Sequence, residues 1–182
     1  ELKFYGCIFN RPVQIGNQSE AGKIEFHNCI FNSSIKINYG NSFFDEKCQY
    51  NADLIIDLHS RLDVELSDYL VKGTLEILGS PHKVILKNIN NEQTIVDQKI
   101  KINAEIKNLT IQKVWSKILE FSPIANFEHN LNIEDSNFTE LNIKSIRLDG
   151  EMKIYNCNFK KFDISDLKVE AKSINVTDTE ID

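Results

Sequence analysis

The sequence has no long hydrophobic run and no stretch of basic residues. No segment approaches the roughly 18 to 20 apolar residues that a membrane helix needs, which predicts no membrane insertion. The formal net charge is −6, with 21 basic and 27 acidic residues. The basic residues form no stripe that would neutralise a phosphate backbone, so we expect no nucleic-acid partner. The N-terminal residues 1–4 resemble neither the basic region nor the apolar core of a signal peptide, and no compartment is assigned.

Paired cysteine spacings are also missing. The paired spacings of zinc sites, redox motifs and disulfide scaffolds do not occur, which predicts free thiols for Cys7, Cys29, Cys48 and Cys157. No ligand spacing relates His27, His59, His82 and His129. The sequence therefore predicts no metal and no other cofactor. Alanine, glycine and proline are scarce while isoleucine, asparagine and lysine are abundant, a bias of AT-rich genomes that indicates a bacterial source.

What the sequence does have is an internal repeat. The segment Leu2–Phe9 recurs 22 residues later as Ile24–Phe31, and Leu131–Phe138 recurs 21 residues later as Met152–Phe159. A further copy begins at Ile174, and Leu109 and Leu86 continue the series towards the N-terminus. A second row of apolar residues follows about 11 positions behind the first. Its members are Val13 and Ile15, Ile35 and Ile37, Leu119 and Phe121, Leu141 and Ile143, and Phe162 and Ile164.

The apolar residues within each repeat alternate with polar ones, which is the pattern of half-buried strands. Three short strands per repeat predict an all-β, right-handed parallel β-helix of about eight coils, each 21–23 residues long. At about 4.8 Å per coil such a rod is roughly 40 Å long. We expect one solenoid domain over residues 1–182. Residues 39–52 lack alternation, so we expect an irregular loop there.

Corner residues separate the predicted strands. Cys7, Cys29, Ser136, Cys157 and Thr179 occupy one position of the repeat and predict a ladder of small side chains. Each member of this ladder after Cys7 is preceded by an Asn or an Asp, which are residues that tolerate left-handed backbone angles. We therefore expect left-handed backbone angles at these corners. The preceding residues are Asn28, Asp135, Asn156 and Asp178.

Two resemblances follow from these motifs. The corners Asn28–Phe31 and Asn156–Phe159 resemble those of pentapeptide-repeat proteins, and the coil as a whole resembles the pectate-lyase-like right-handed β-helix superfamily. Enzymes of this superfamily use carboxylates that hold calcium, with a nearby Arg or Lys, or carboxylates grouped on one sheet face. The second resemblance therefore implies that catalytic residues would be carboxylates of this kind. The candidate catalytic residues are Asp57, Asp63 and Glu65 with Arg61. A solvated strand face gives the same alternation and is the simpler interpretation.

Trp115 is the only tryptophan. It is a candidate stacking platform for a sugar, although a single tryptophan also serves as packing. The chain begins and ends inside a repeat without a capping helix, which predicts a fragment of a longer protein or end-to-end self-association.

The main functional hypothesis is a non-catalytic binding or scaffold module that engages a protein or a polysaccharide through its solenoid faces. The alternative is a carbohydrate-active β-helix enzyme, either a polysaccharide lyase or a glycoside hydrolase. A third hypothesis is an acidic mimic of DNA, for which the charge of −6 is small. Grouping of the carboxylates with Arg61 in one groove would favour the enzyme, and scattering would favour the binding module.

Overall fold

The strands wind into a parallel β-solenoid, as the repeat predicted, and every pairing between them is parallel. The computed structural model describes residues 1–16, 22–38, 41–58, 62–90, 98–122, 125–144, 146–165, 168–169 and 173–181. These residues contain strands, turns and bends but no helix. The predicted count of about eight coils is approximately right.

The N-terminal strands are short. They are β1 (Leu2–Tyr5), β2 (Ile8–Phe9), β3 (Val13–Gly16), β4 (Gly22–His27), β5 (Ile30–Phe31), β6 (Ile35–Asn38), β7 (Asn41–Glu46), β8 (Gln49–Tyr50) and β9 (Leu54–Leu58). Some of the following strands are longer, because β10, β13 and β14 each continue from one side of a coil into the next. They are β10 (Asp63–Val71), β11 (Thr74–Gly79), β12 (Lys83–Ile89), β13 (Lys99–Phe121), β14 (Asn126–Glu134) and β15 (Asn137–Lys144). The last are β16 (Arg147–Leu148), β17 (Glu151–Tyr155), β18 (Asn158–Ser165), β19 (Lys168–Val169), β20 (Ser173–Thr177) and β21 (Glu180–Ile181).

Equivalent strands of successive coils stack into sheets. The main run of the first sheet is β1, β4, β7, β10, β12, β13, β14, β17 and β20, in that order. The start of β14 also pairs with β16, and β16 pairs with β19, in the same sheet. The second sheet is short and contains β2, β5, β8 and the end of β10. The third sheet runs from β3 through β6, β9, β11, both ends of β13, and β15 to β18 and β21. Each side chain therefore stacks on its equivalent one coil away.

The register confirms most of the repeat. Leu2 pairs with Ile24, and Leu131 pairs with Leu109 on one side and Met152 on the other. The second apolar row also pairs as predicted, for example Val13 with Ile35. The predicted continuation of the repeat towards the N-terminus, from Leu109 to Leu86, is wrong by two residues. Val84, and not Leu86, pairs with Leu109, because this coil has 25 residues and exceeds the repeat length.

The prediction of an irregular loop over residues 39–52 is wrong for its described part. Asn41–Glu46 forms β7, which pairs with β4 and β10, and Gln49–Tyr50 forms β8. The alternation was hidden because Phe44 faces outward while Asp45 faces the core. This coil is also short, since only 19 residues separate Ile24 from its partner Phe43. Tyr39 and Gly40 lie outside the described residues.

Left-handed backbone angles mark one corner in every coil. One residue at or near the end of each first-sheet side has a φ near +50° to +60°, and this conformation turns the chain into the next side of the coil. The set consists of Gly6, Asn28, Lys47, Asp68, Asn88, Lys113, Asp135, Asn156 and Asp178. The prediction for Asn28, Asp135, Asn156 and Asp178 is confirmed. Asparagine and aspartate suit this position because their short polar side chains tolerate the left-handed region.

The small residues after this corner bond back onto the chain. The thiols of Cys29 and Cys157 donate to the carbonyl oxygens two residues earlier, at 3.5 and 3.2 Å, and Ser136 Oγ does the same at 2.7 Å. The four cysteines are free, and three of them are buried. Burial raises the pKa of the Cys157 thiol to about 11 and also raises that of Cys29, so these thiols are neutral packing groups.

Candidate functional site

The predicted acidic group does not come together in the described residues. Asp57 lies on β9 in the third sheet, where it pairs with Asn38 and Leu78. Asp63 and Glu65 lie on β10 in the first sheet. The two β10 carboxylates share the outward face, as their alternation predicted, but Asp57 belongs to another side of the coil. Arg61, the expected cationic partner, lies outside the described residues.

Asp63 and Glu65 sit in ordinary strand-face surroundings. Asp63 Oδ1 is 3.3 Å from His82 Nδ1, and both side chains are close to half exposed. Glu65 is exposed and pairs with Phe44 and Ile85 on the neighbouring strands. A carboxylate pair that catalyses glycoside hydrolysis needs two carboxyl groups facing each other across a substrate. Two carboxylates in succession on one strand face do not provide that geometry.

A second charged group surrounds Glu25 on the same face. Glu25 contacts Lys23, Lys3 at 3.4 Å and His27 at 3.2 Å. Hydrogen bonds from Lys23 and His27 lower the pKa of Glu25 to about 2. His27 also lies 3.4 Å from Glu46. The shallow depression of about 220 Å³ beside this network is lined by Lys23 and His27 together with the acidic residues Glu25, Glu46 and Glu65.

No three His, Cys, Asp or Glu side chains among the described residues are arranged to hold a metal ion. His59 lies outside the described residues. The other histidines are spread over three positions of the first sheet and its neighbourhood. His27 stacks on Tyr5 with ring centroids 4.8 Å apart, His82 contacts Asp63, and His129 Nδ1 is 3.0 Å from the Glu128 carbonyl oxygen.

Trp115 stands at the left-handed corner of the C-terminal coils. The corner places it two residues after Lys113, at the start of a third-sheet side, and the side chain is half-buried. Trp115 pairs with Asn137, and Asn137 pairs with Asn158. The three side chains therefore form one outward column, with a coil spacing of about 4.8 Å between neighbours.

A groove follows this column, and we call it the corner groove. It has a volume of about 280 Å³ and is lined by Trp115, Asp135, Ser136, Asn137, Asn156, Cys157, Asn158, Asp178 and Glu180. Asn156 Nδ2 donates to Asp135 Oδ1 at 2.8 Å, so the left-handed residues of two coils hold each other in place. The arrangement sets an indole ring beside fixed amide and carboxylate groups on a rigid backbone.

The same corner in the N-terminal half has different chemistry. Its groove is larger, about 510 Å³, and is lined by Lys47, Cys48, Gln49, Asp68, Tyr69, Leu70, Asn88 and Asn90. Its one aromatic residue, Tyr69, is buried. Of these two grooves, the C-terminal one combines an aromatic ring at the surface with a ladder of amides.

Sequence reasoning singled out Trp115 but missed its neighbours. Asn137 and Asn158 are separated from Trp115 by one and two coils, so only the exact register brings them together. The spacing of 22 and 21 residues was the available signal, because it equals the repeat length.

Comparisons with known proteins add no relative. No family model, no curated protein and no solved structure matches the chain. Among the described residues, no helix has the length and apolar character required to cross a membrane.

Proposed function

We propose that this protein is a non-catalytic binding module that holds a polysaccharide chain in the corner groove. The observation that carries the proposal is the column formed by Trp115, Asn137 and Asn158. An aromatic ring offers the apolar face of a sugar a flat surface, and amides both donate to and accept from hydroxyl groups. Because the column runs along the solenoid axis, a linear polymer can follow it.

The rigidity of the groove supports this proposal. The Asn156–Asp135 hydrogen bond and the stacked backbone fix the polar groups before any ligand arrives. A preformed site loses less conformational entropy on binding, which matters for a shallow groove with few contacts. We therefore expect modest affinity per sugar, increased by contacts with several sugars of one chain.

Catalysis is the less supported alternative. A lyase or hydrolase of the β-helix type requires carboxylates grouped around one sugar, whereas Asp57 lies on a different sheet from Asp63 and Glu65. The corner groove contains Asp135, Asp178 and Glu180, but Asp135 is already bonded to Asn156. These features favour retention of a polymer over its cleavage.

The test is retention on a panel of immobilised neutral and acidic polysaccharides, with and without calcium, with the polymer length followed in parallel. We expect at least one polymer to retain the protein without being shortened. The Trp115→Ala variant should bind about tenfold more weakly, because an aromatic contact contributes about 1 to 1.5 kcal/mol. Tyr5→Ala is the matched control, since Tyr5 is an exposed aromatic residue far from the groove.

Each alternative outcome would overturn the proposal in a recognisable way. Shortening of a polymer that stops in the Asp63→Ala variant would identify an enzyme. Equal weakening by Trp115→Ala and Tyr5→Ala would place binding elsewhere. Failure of every polymer to retain the protein would direct the search to a protein partner.

A further inference from the structure

Asp45 is a carboxyl group on the inside of the solenoid. It occupies an inward column of the first sheet, directly between Phe26 of β4 and Leu66 of β10, and only 3% of its surface is exposed. The other members of this column are all apolar. They are Phe4, Phe26, Leu66, Leu86, Ile111, Ile133, Ile154 and Val176.

Only one of the two carboxylate oxygens of Asp45 has a hydrogen-bond partner among the described residues. Tyr50, which is fully buried, donates its hydroxyl hydrogen to Asp45 Oδ2 at 2.6 Å. Asp45 Oδ1 has no hydrogen-bond partner among the described residues, and neither has the buried hydroxyl of Tyr69. The Cys48 thiol is close by, but it donates to the Glu46 carbonyl oxygen at 3.6 Å.

A carboxylate in such a place is costly when ionised and much less so when protonated. Burial removes the hydration of the charge, and one hydrogen bond does not replace it. On the outer face of the sheet, His27 and Glu46 are the titratable side chains that act on Asp45, and their effects on its pKa oppose each other. Inside, burial raises the pKa values of Cys48, Tyr50 and Tyr69, so these groups remain neutral.

We propose that Asp45 is a proton-controlled joint in the N-terminal half of the solenoid, which tightens the packing of β4, β7 and β10 when it is protonated and loosens it when it is ionised. The proposal does not depend on polysaccharide binding. It assigns a role to a buried acid that takes no part in the corner groove.

The direction of the effect follows from the environment. Burial raises the pKa of Asp45 from 3.8 to about 6, while the Cys48 thiol and the Tyr50 hydroxyl act in the opposite direction. Between these two pKa values the folded protein binds more protons than the unfolded chain, so stability falls as the pH rises. The ratio of folded to unfolded protein should fall by roughly 30-fold from pH 4.5 to pH 7.5 through this group alone.

The first measurement is denaturant unfolding of the wild type and of Asp45→Asn between pH 4.5 and 7.5. The amide is neutral throughout, so the variant should gain stability relative to the wild type as the pH rises, by roughly the same 30-fold. The titration of Glu25, and the part of the His27 and Glu46 titrations that is independent of the Asp45 charge, are common to both proteins and cancel in the difference. Glu65→Gln, the same carboxyl-to-amide change on the exposed face of β10, is the control and should show no such pH-dependent difference.

A second variant distinguishes a proton-dependent role of Asp45 from a purely structural one. Tyr50→Phe removes the hydrogen bond to the ionised carboxylate, so the pH at which stability changes should move upward. A local reading comes from amide hydrogen exchange, corrected for intrinsic rates. The amides of Gln49 and Leu70, which bond across neighbouring coils, should open more often at pH 7.5 than at pH 5, and that of Asn158 should not.

The proposal fails if the difference between the wild type and Asp45→Asn is independent of pH. It also fails if opening at pH 7.5 is equal at Gln49 and Asn158, because the effect would then not be local. If Asp45→Asn does not fold, Tyr50→Phe and the exchange measurements on the wild type still decide the question.

Discussion

In the first three coils the inside of the second sheet is a column of aromatic rings. Phe31 stacks on Phe9 and on Tyr50 with centroid distances of 4.7 Å on both sides, and its ring is fully buried. The C-terminal coils are mainly aliphatic inside. There Phe138 stacks on a single ring, that of Phe159, at 6.0 Å.

The two halves nevertheless share one backbone. Both turn the same corner with a left-handed residue, and both continue the first and third sheets without interruption. The comparison teaches that the corner conformation and the register set the solenoid, while the core can be filled by aromatic or by aliphatic side chains. In the second sheet of the N-terminal half rings stack on rings, because equivalent positions are about 4.8 Å apart. In the first sheet a ring also packs between aliphatic groups, as Phe43 does between Ile24 and Val64.

The largest effect on stability should come from removing one buried ring from each half of the solenoid. We expect Phe31→Ala to lower the free energy of unfolding by about 4 to 5 kcal/mol, since it leaves a cavity and breaks two stacked contacts. Phe138→Ala should cost about 3 to 4 kcal/mol, because it breaks one longer contact. Urea unfolding of both variants measures the difference. Equal losses would show that stacking adds nothing to the N-terminal core.

The corners offer a test with a smaller effect and the opposite sign. Lys47 and Lys113 are the two left-handed positions, one in each half, that hold a long side chain. Lys47→Asn and Lys113→Asn should each raise stability by about 0.5 to 1 kcal/mol, because asparagine adopts this conformation at lower cost. Thermal unfolding measures the gain. Destabilisation by both changes would mean that the lysine stems contribute more through packing than the backbone loses.

The smallest effect concerns the exposed amide ladders. Asn32 donates to Asn10 and accepts from Asn51, both at 2.7 Å, whereas Asn130 makes one ladder bond, to Asn108, at 3.1 Å. Asn32→Ala should cost about 1 kcal/mol and Asn130→Ala about 0.5 kcal/mol. The unfolding midpoint in urea resolves this order. A larger loss at Asn130 would remove any link between ladder length and stability.

Much of the fold could be predicted because a solenoid repeats its own signals. Asn28 and Asn156 mark equivalent corners, and their residue types suit left-handed angles. Lys47 and Lys113 were not predicted at such corners, since lysine carries no turn signal. The strand at 41–46 was also missed, because an outward Phe44 and an inward Asp45 invert the expected alternation and the coil is short by about three residues.

The site was less accessible to sequence reasoning. Alternation correctly placed Asp63 and Glu65 on one face, but it contains no information about which side of the coil holds Asp57. Trp115 could be singled out by its rarity. Its neighbours Asn137 and Asn158 could not, because in a chain rich in asparagine only the three-dimensional register separates a groove residue from a solvated one.

The repeating left-handed corner also bears on how such a molecule changes in length. Each coil contacts only the coils before and after it, and Leu109 and Leu131 occupy equivalent places one coil apart. Loss or duplication of one such segment joins one left-handed corner to an equivalent left-handed corner. The rod can therefore grow or shrink by whole coils in a single genetic event, and the length of the corner groove can change in the same steps.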